Sequence, residues 1–115
     1  MAIPYKEVCE VIMDAISGRT SVHLAQEKTW EETYAGDVSF YFGTWVLTFF
    51  NDCDGLDYLD SAISTDGDEG EFDDWVREYA EEQGDEMAVF NPIDLLPEGD
   101  RDTLELLLKN AEAYL

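Results

Sequence analysis

Carboxylates are the side chains of this sequence that could do chemistry. Between residues 52 and 86 stand fifteen of them, Asp52, Asp54, Asp57, Asp60, Asp66, Asp68, Glu69, Glu71, Asp73, Asp74, Glu78, Glu81, Glu82, Asp85 and Glu86, against the single base Arg77. This stretch carries a net −14, and the other 80 residues carry the remaining −8 of the chain's −22. So dense a set could ligate a divalent cation, work as an acid and base pair, or present negative charge to a basic partner.

A dedicated metal loop needs oxygen ligands and glycine at set positions. Counted from Asp66, DGDEGE puts Glu71 at the sixth position, where a calcium loop requires Gly; counted from Asp52, Leu56 stands at the fifth, where an oxygen ligand belongs. The expectation is diffuse attraction of Ca²⁺ or Mg²⁺, with no metal site and no cofactor. Carboxylates that divide acid from base need a buried pocket to separate their pKa values, and this run reads as exposed. Nucleophilic catalysis needs an oriented base, yet the chain has one His and two Cys. His23 reads as a strand-surface residue and Cys9 as packing on an apolar helix face. Cys53 sits among acids that disfavour its thiolate. Gly67 and Gly70 cannot cradle a phosphate, which would meet acids on every side. The reading is therefore non-enzymatic.

Presenting charge is what remains. Duplex DNA carries about one phosphate charge per 1.7 Å of axis, while carboxylates two apart on a strand lie about 7 Å apart and four apart on a helix about 6 Å. Asp52 and Asp54, Asp66 and Asp68, and the row Asp74, Glu78, Glu82 supply such spacings. A protein with that surface can be steered into a Lys/Arg groove built for nucleic acid. An immunity or antitoxin protein covering a basic toxin needs the same acids. A solvated face that keeps the chain soluble, or adaptation to high salt, would spread them more evenly. Exposed aromatics beside the acids, Tyr58 or Tyr79, would anchor a protein partner.

With 115 residues the chain has the length of one domain, and 45% apolar residues with 13% aromatics suffice for a core. Pro4, Glu7, Glu10 and Asp14 stand where an export signal would be basic and apolar, so the expected location is the cytoplasm. The most apolar run, Phe40 to Phe50, has 11 residues broken by Gly43 and Thr44, short of the roughly 18 that a membrane span needs. Anionic lipid would also repel the protein. Two cysteines indicate no disulfide framework.

The elements follow from periodicity. Tyr5, Val8, Cys9, Ile12, Ala15 and Ile16 recur at helical steps between Pro4, suited to the first helical position, and Gly18, suited to the end. Ser21 to Gln26 reads as a short strand, and Glu27 to Gly36 as a connection with a possible helical turn. Val38, Phe40 and Phe42 alternate with polar residues, Gly43 and Thr44 turn, and WVLTFF follows as a strand apolar on both faces, hence central and covered at least in part on its second face. A third strand is expected over Leu56 to Ser64, with Leu56, Tyr58 and Ile63 inward. Thr65 to Glu71 reads as a loop. Phe72, Trp75, Val76 and Tyr79 predict a helix from Asp73 to about Glu82, with Asp74, Glu78 and Glu82 on its outer face, where like charges four apart disfavour it slightly. Met87 to Phe90 reads as extended, and Asp100 to Tyr114 as a helix burying Leu104, Leu107, Leu108 and Ala111. The predicted fold is α+β: an N-terminal helix, an antiparallel sheet of three or four strands, an acidic helix and a C-terminal helix.

The segment FNDCDGLDYLD, Phe50 to Asp60, resembles a family of small bacterial proteins, frequent in pseudomonads, in which an aromatic strand leads into FNDCD-x-LDY. KEVCEVIMDAISG, TWEETYAG, WVLTFFNDCD and NPIDLL extend the resemblance over most of the chain. It implies a common fold and no activity, and makes Thr65 to Glu86 an acidic elaboration. In size, charge and lack of a catalytic set, the chain is also similar in type to phage-encoded anti-CRISPR proteins that mimic DNA, with no shared motif. That similarity implies a basic nucleic-acid-binding partner, a CRISPR surveillance complex, and no direct contact with nucleic acid or membrane.

Overall fold

The computed structural model describes residues 3–53, 55–84 and 91–112. Among them, four helices and five strands form an α+β fold: α1 Tyr5–Ile16, β1 Val22–Leu24, α2 Trp30–Thr33, β2 Gly36–Phe42, β3 Trp45–Asp52, β4 Gly55–Ile63, β5 Glu69–Glu71, α3 Phe72–Gln83 and α4 Asp100–Asn110, with a 3₁₀ turn at Pro92–Leu95. The sheet is an antiparallel meander in the order β1-β2-β3-β4-β5, which puts the doubly apolar strand β3 at its centre as predicted. The expected extended segment at Met87 to Phe90 lies outside the described residues, and the last helix stops at Asn110 instead of running to Tyr114, because the backbone turns extended at Ala111, with φ −65° and ψ 134°.

Val38, Phe40, Phe42, Leu47 and Phe49 on one face of the sheet join Val8 and Ile12 of α1, Trp30 of α2, Trp75 of α3 and Leu104 and Leu108 of α4 in one core. All four helices therefore bury their apolar sides against the same sheet face. On the other face, Ser39, Val46, Thr48, Phe50, Tyr58 and Ser61 are half-buried and Asp37 and Tyr41 exposed, so the second face of β3 is covered in part, with Phe72 of α3 meeting Tyr58 beside Phe50.

Three further expectations need correction. Pro4 precedes the first helical residue of α1, with extended backbone, instead of occupying that position. Glu69–Glu71, read as loop, pairs with Ser61–Ile63 as an edge strand and raises the strand count to five. The pairing works because Gly70 faces inward under Trp75 and Ile3: a Cβ there would stand 3.1 Å from the indole and 3.2 Å from Ile3 Cβ. Trp75 is locked in that place by its indole N–H, which donates to the Ile3 carbonyl at 3.0 Å.

The third correction concerns β4. Asn51 pairs with Leu56, Phe50 with Tyr58, Phe49 with Leu59 and Thr48 with Ser61, so Asp57 and Asp60 are extra residues at two bulges. Each bulge advances the strand by one residue and breaks the two-residue alternation. The inward set is consequently Leu56, Leu59 and Ala62, while Tyr58 is only half-buried and Ile63 exposed. The edge of β4 not reached by β5 is covered by side chains. Asn91 gives its amide N–H to the Leu59 carbonyl at 2.8 Å and accepts the Leu59 N–H at 3.0 Å, standing in for a strand residue. Glu105 accepts the Leu56 N–H at 2.7 Å, and Arg101 donates to the carbonyls of Leu56 and Asp57 at 3.2 and 2.8 Å. Paired in this way, the edge offers no free template to another chain.

Candidate functional site

The fold divides the predicted acidic set in two. One part turns toward the protein itself. The N-terminus of α1 leaves N–H groups without helical partners and carries partial positive charge, and α3 meets it with carboxylates. Glu78 accepts the Tyr5 N–H at 3.1 Å. Glu82 accepts the Tyr5 hydroxyl and pairs with Lys6 at 3.5 Å. Asp74 accepts the Glu71 N–H at 3.3 Å and binds Arg77 at 2.8 Å. The row predicted for the outer face of α3 is thus occupied by contacts within the chain, chiefly with α1. Those contacts offset the like-charge repulsion along the helix, and reversing the row would test the fold before it tested any partner.

The other part points outward. Asp66 and Asp68 lie exposed in the β4–β5 turn, Glu69 and Glu71 on β5, Asp73 in the first turn of α3, Glu81 further along it, Asp52 at the end of β3, and Asp57 at the first bulge. Asp60, at the second bulge, is half-buried. Asp54, Asp85 and Glu86 lie outside the described residues.

Around Asp60 the acids meet aromatics. Tyr58 stacks on Phe50 with ring centroids 5.2 Å apart and planes at 17°, and Phe72 meets Tyr58 edge-on at 5.1 Å. Tyr58, Asp60, Glu71, Phe72 and Asp73 line one depression at this point. Asp37 joins from β2, because the register sets Asp37 opposite Phe50 and Phe50 opposite Tyr58. The charges sense one another: burial first, then Asp60, raises the Asp37 carboxyl above its usual pKa. Burial, followed by Asp60, Asp37 and Asp57, does the same to the Tyr58 hydroxyl. Sequence reasoning named Tyr58 as an anchor but missed Asp37, Phe50 and Phe72. Phe50 carried a signal, since a strand apolar on both faces must show one of them. Asp37 carried none, for only the register across three strands brings it near Asp60. Tyr79, the other proposed anchor, packs edge-on against Tyr5 at 5.9 Å.

Neither cysteine has the setting of a nucleophile. Cys9 is half-buried with its thiol toward the Pro92 carbonyl at 3.5 Å, and burial pushes its pKa up to about 11. Cys53 is exposed in the β3–β4 turn with φ 51°. Among the described residues no three His, Cys, Asp or Glu side chains converge as metal ligands, and no helix is long and apolar enough to cross a membrane.

Fold and surface together define a small acidic α+β domain with an aromatic patch on the sheet face away from its helices. The chain belongs to the DUF7693 family, a domain of unknown function, whose pattern it matches over residues 2–110. A search of curated proteins found no match, and a search of solved structures found none.

Proposed function

We propose that this protein is a non-enzymatic inhibitor that occupies a basic nucleic-acid-binding groove on another protein, and that its target is a CRISPR surveillance complex in the bacterial cytoplasm. The observation that carries the reading is the distribution of charge. Five of the six bases are in ion pairs with Glu82, Asp14, Asp74, Asp94 and Glu105, so no described pair neutralises the outward acids of β4, β5 and the start of α3. Unpaired carboxylates at strand and helix spacing supply a negative track of the kind Lys/Arg grooves bind.

Competition measures this directly. The purified protein is added to a surveillance complex and labelled target DNA at several salt concentrations. Saturable displacement of DNA that weakens as salt rises is expected. Retention of DNA at every concentration, together with neutralisation of a basic toxin encoded nearby, would replace this reading with that of an immunity protein, which the aromatic patch also suits as a specific anchor.

A further inference from the structure

From the depression lined by Tyr58, Asp60, Glu71, Phe72 and Asp73 we infer that the protein holds an arginine side chain of its basic partner against the aromatic rings, with Asp60, Glu71 and Asp73 as its counter-charges. The inference builds on the proposed function in assuming a basic protein partner, and it moves the centre of contact from the acidic row of α3 to this site.

Chemistry on this face selects the occupant. Phe50 and Tyr58 place aromatic surface on the outer side of the sheet, where Phe72 at the start of α3 meets Tyr58 edge-on. The neighbouring phenylalanines of β2 and β3, Phe40, Phe42 and Phe49, are drawn into the core. An apolar ligand would suit the rings but would strip water from the three carboxylates that line the depression. Anions are excluded by the same charges. A cation satisfies both halves, because the face of an aromatic ring attracts positive charge and the carboxylates complete the pairing. Arginine fits better than lysine: its planar guanidinium stacks on a ring while its N–H fork reaches carboxylates at the edge, whereas an ammonium is a strongly hydrated point charge. Asp37 adds negative potential without lining the depression, and its carboxyl is already held above its usual pKa partly by Asp60. A bound guanidinium would relieve that repulsion.

The fold supports such a site rigidly. The bulge at Asp57 advances β4 after the inward Leu56 so that Tyr58 faces outward on Phe50. Glu71 and Phe72 are consecutive residues where β5 passes directly into α3. Tyr58 and Glu71 therefore stand on paired strand backbone, which limits the ordering that binding requires.

Titration of the full-length chain with nona-arginine and then nona-lysine, followed by backbone and aromatic NMR signals, is the test. Nona-arginine is expected to shift the Tyr58 and Phe72 ring signals most and to bind about ten-fold tighter than nona-lysine of equal charge. Tyr58→Ala should reduce that preference to about two-fold or less, and Asp60→Asn with Asp73→Asn, which leaves the rings intact, should weaken nona-arginine several-fold. Equal affinity for the two peptides, or shifts confined to Asp66–Glu69, would overturn the inference, and the wild-type spectra decide this even if Tyr58→Ala unfolds. The proposed function fails separately. A Tyr58→Ala protein that still displaces DNA as well as wild type refutes the arginine site and keeps the inhibitor, while arginine-selective binding by a protein that displaces no DNA does the reverse.

Discussion

Tyr5 is held at both ends by one helix, its N–H by Glu78 and its hydroxyl by Glu82. The bond to Glu82, then burial, pushes the phenol up to about 12 from 10.0, while the same bond lowers the Glu82 carboxyl from its usual 4.5. A raised phenol pKa adds stability that is complete below pH 10.0 and disappears as pH climbs toward about 12. The depressed carboxyl adds stability that is complete above 4.5 and is lost as pH falls through its lowered value. Tyr5→Phe should therefore lose stability by a constant amount between those limits, with the gap to wild type closing at both ends. Urea denaturation over a pH series measures it, and a gap independent of pH would show that the bond to Glu82 is not its source. Gly70 makes a second demand at this scale. Its hydrogen leaves room for Trp75 and Ile3, so Gly70→Ala should cost about 1–3 kcal/mol in the same assay, most of it through β5 and the chain leading into α1.

At the scale of elements, β4 gives the most discriminating test, because strict alternation and the bulged strand make opposite predictions for neighbouring residues. Leu59 is fully buried and Tyr58 half-buried. Leu59→Ala is expected to cost about 2–5 kcal/mol, and Tyr58→Ala distinctly less, by thermal or urea denaturation; the reverse order would contradict the bulges. The same strand marks where sequence reading stops. Helix α1 and the β2–β3 hairpin were legible because their burial follows a single period: Tyr5, Val8, Ile12 and Ala15 every three or four residues, Val38, Phe40 and Phe42 every two. β4 buries every third residue, a pattern that belongs to neither regular element and exists only because Asp57 and Asp60 are left over in pairing with β3. The acidic row of α3 had its spacing read correctly and its direction only in part, since Glu82 is exposed yet reaches back with Glu78 to α1. Spacing is local, whereas direction depends on α1, some 70 residues earlier, bringing Tyr5 and Lys6 alongside. For the same reason the acids of the candidate site were visible as residues and invisible as a cluster, since Asp37, Asp60 and Asp73 meet only through the sheet.

Across the whole molecule, charge must be paid for by the core in every condition where it is unscreened. The domain measures 43 × 31 × 24 Å and carries a net −22, with five of its six bases already in ion pairs. The Debye length is about 30 Å at 0.01 M salt and about 10 Å at 0.1 M. In dilute buffer, carboxylates on opposite sides of the fold therefore repel one another, and at moderate salt only neighbours such as Asp37 and Asp60 still do. The unfolded chain carries the same charge spread over a larger volume, so screening favours the compact state. Raising NaCl from about 0.01 to 0.3 M is expected to raise the melting temperature, by about 3–6 °C for each kcal/mol recovered. Chloride is the proper salt, because sulfate strengthens apolar burial by its own exclusion from protein surfaces. If the repulsion is concentrated at the sheet face, Asp37→Asn should raise the melting temperature in dilute buffer and reduce its dependence on salt, since that carboxyl's raised pKa reflects a cost of ionisation that neutralisation removes. An unchanged or lowered melting temperature in wild type would mean that its carboxylates are balanced within the fold, and would take away the unpaired charge on which the proposed contact with a basic partner depends.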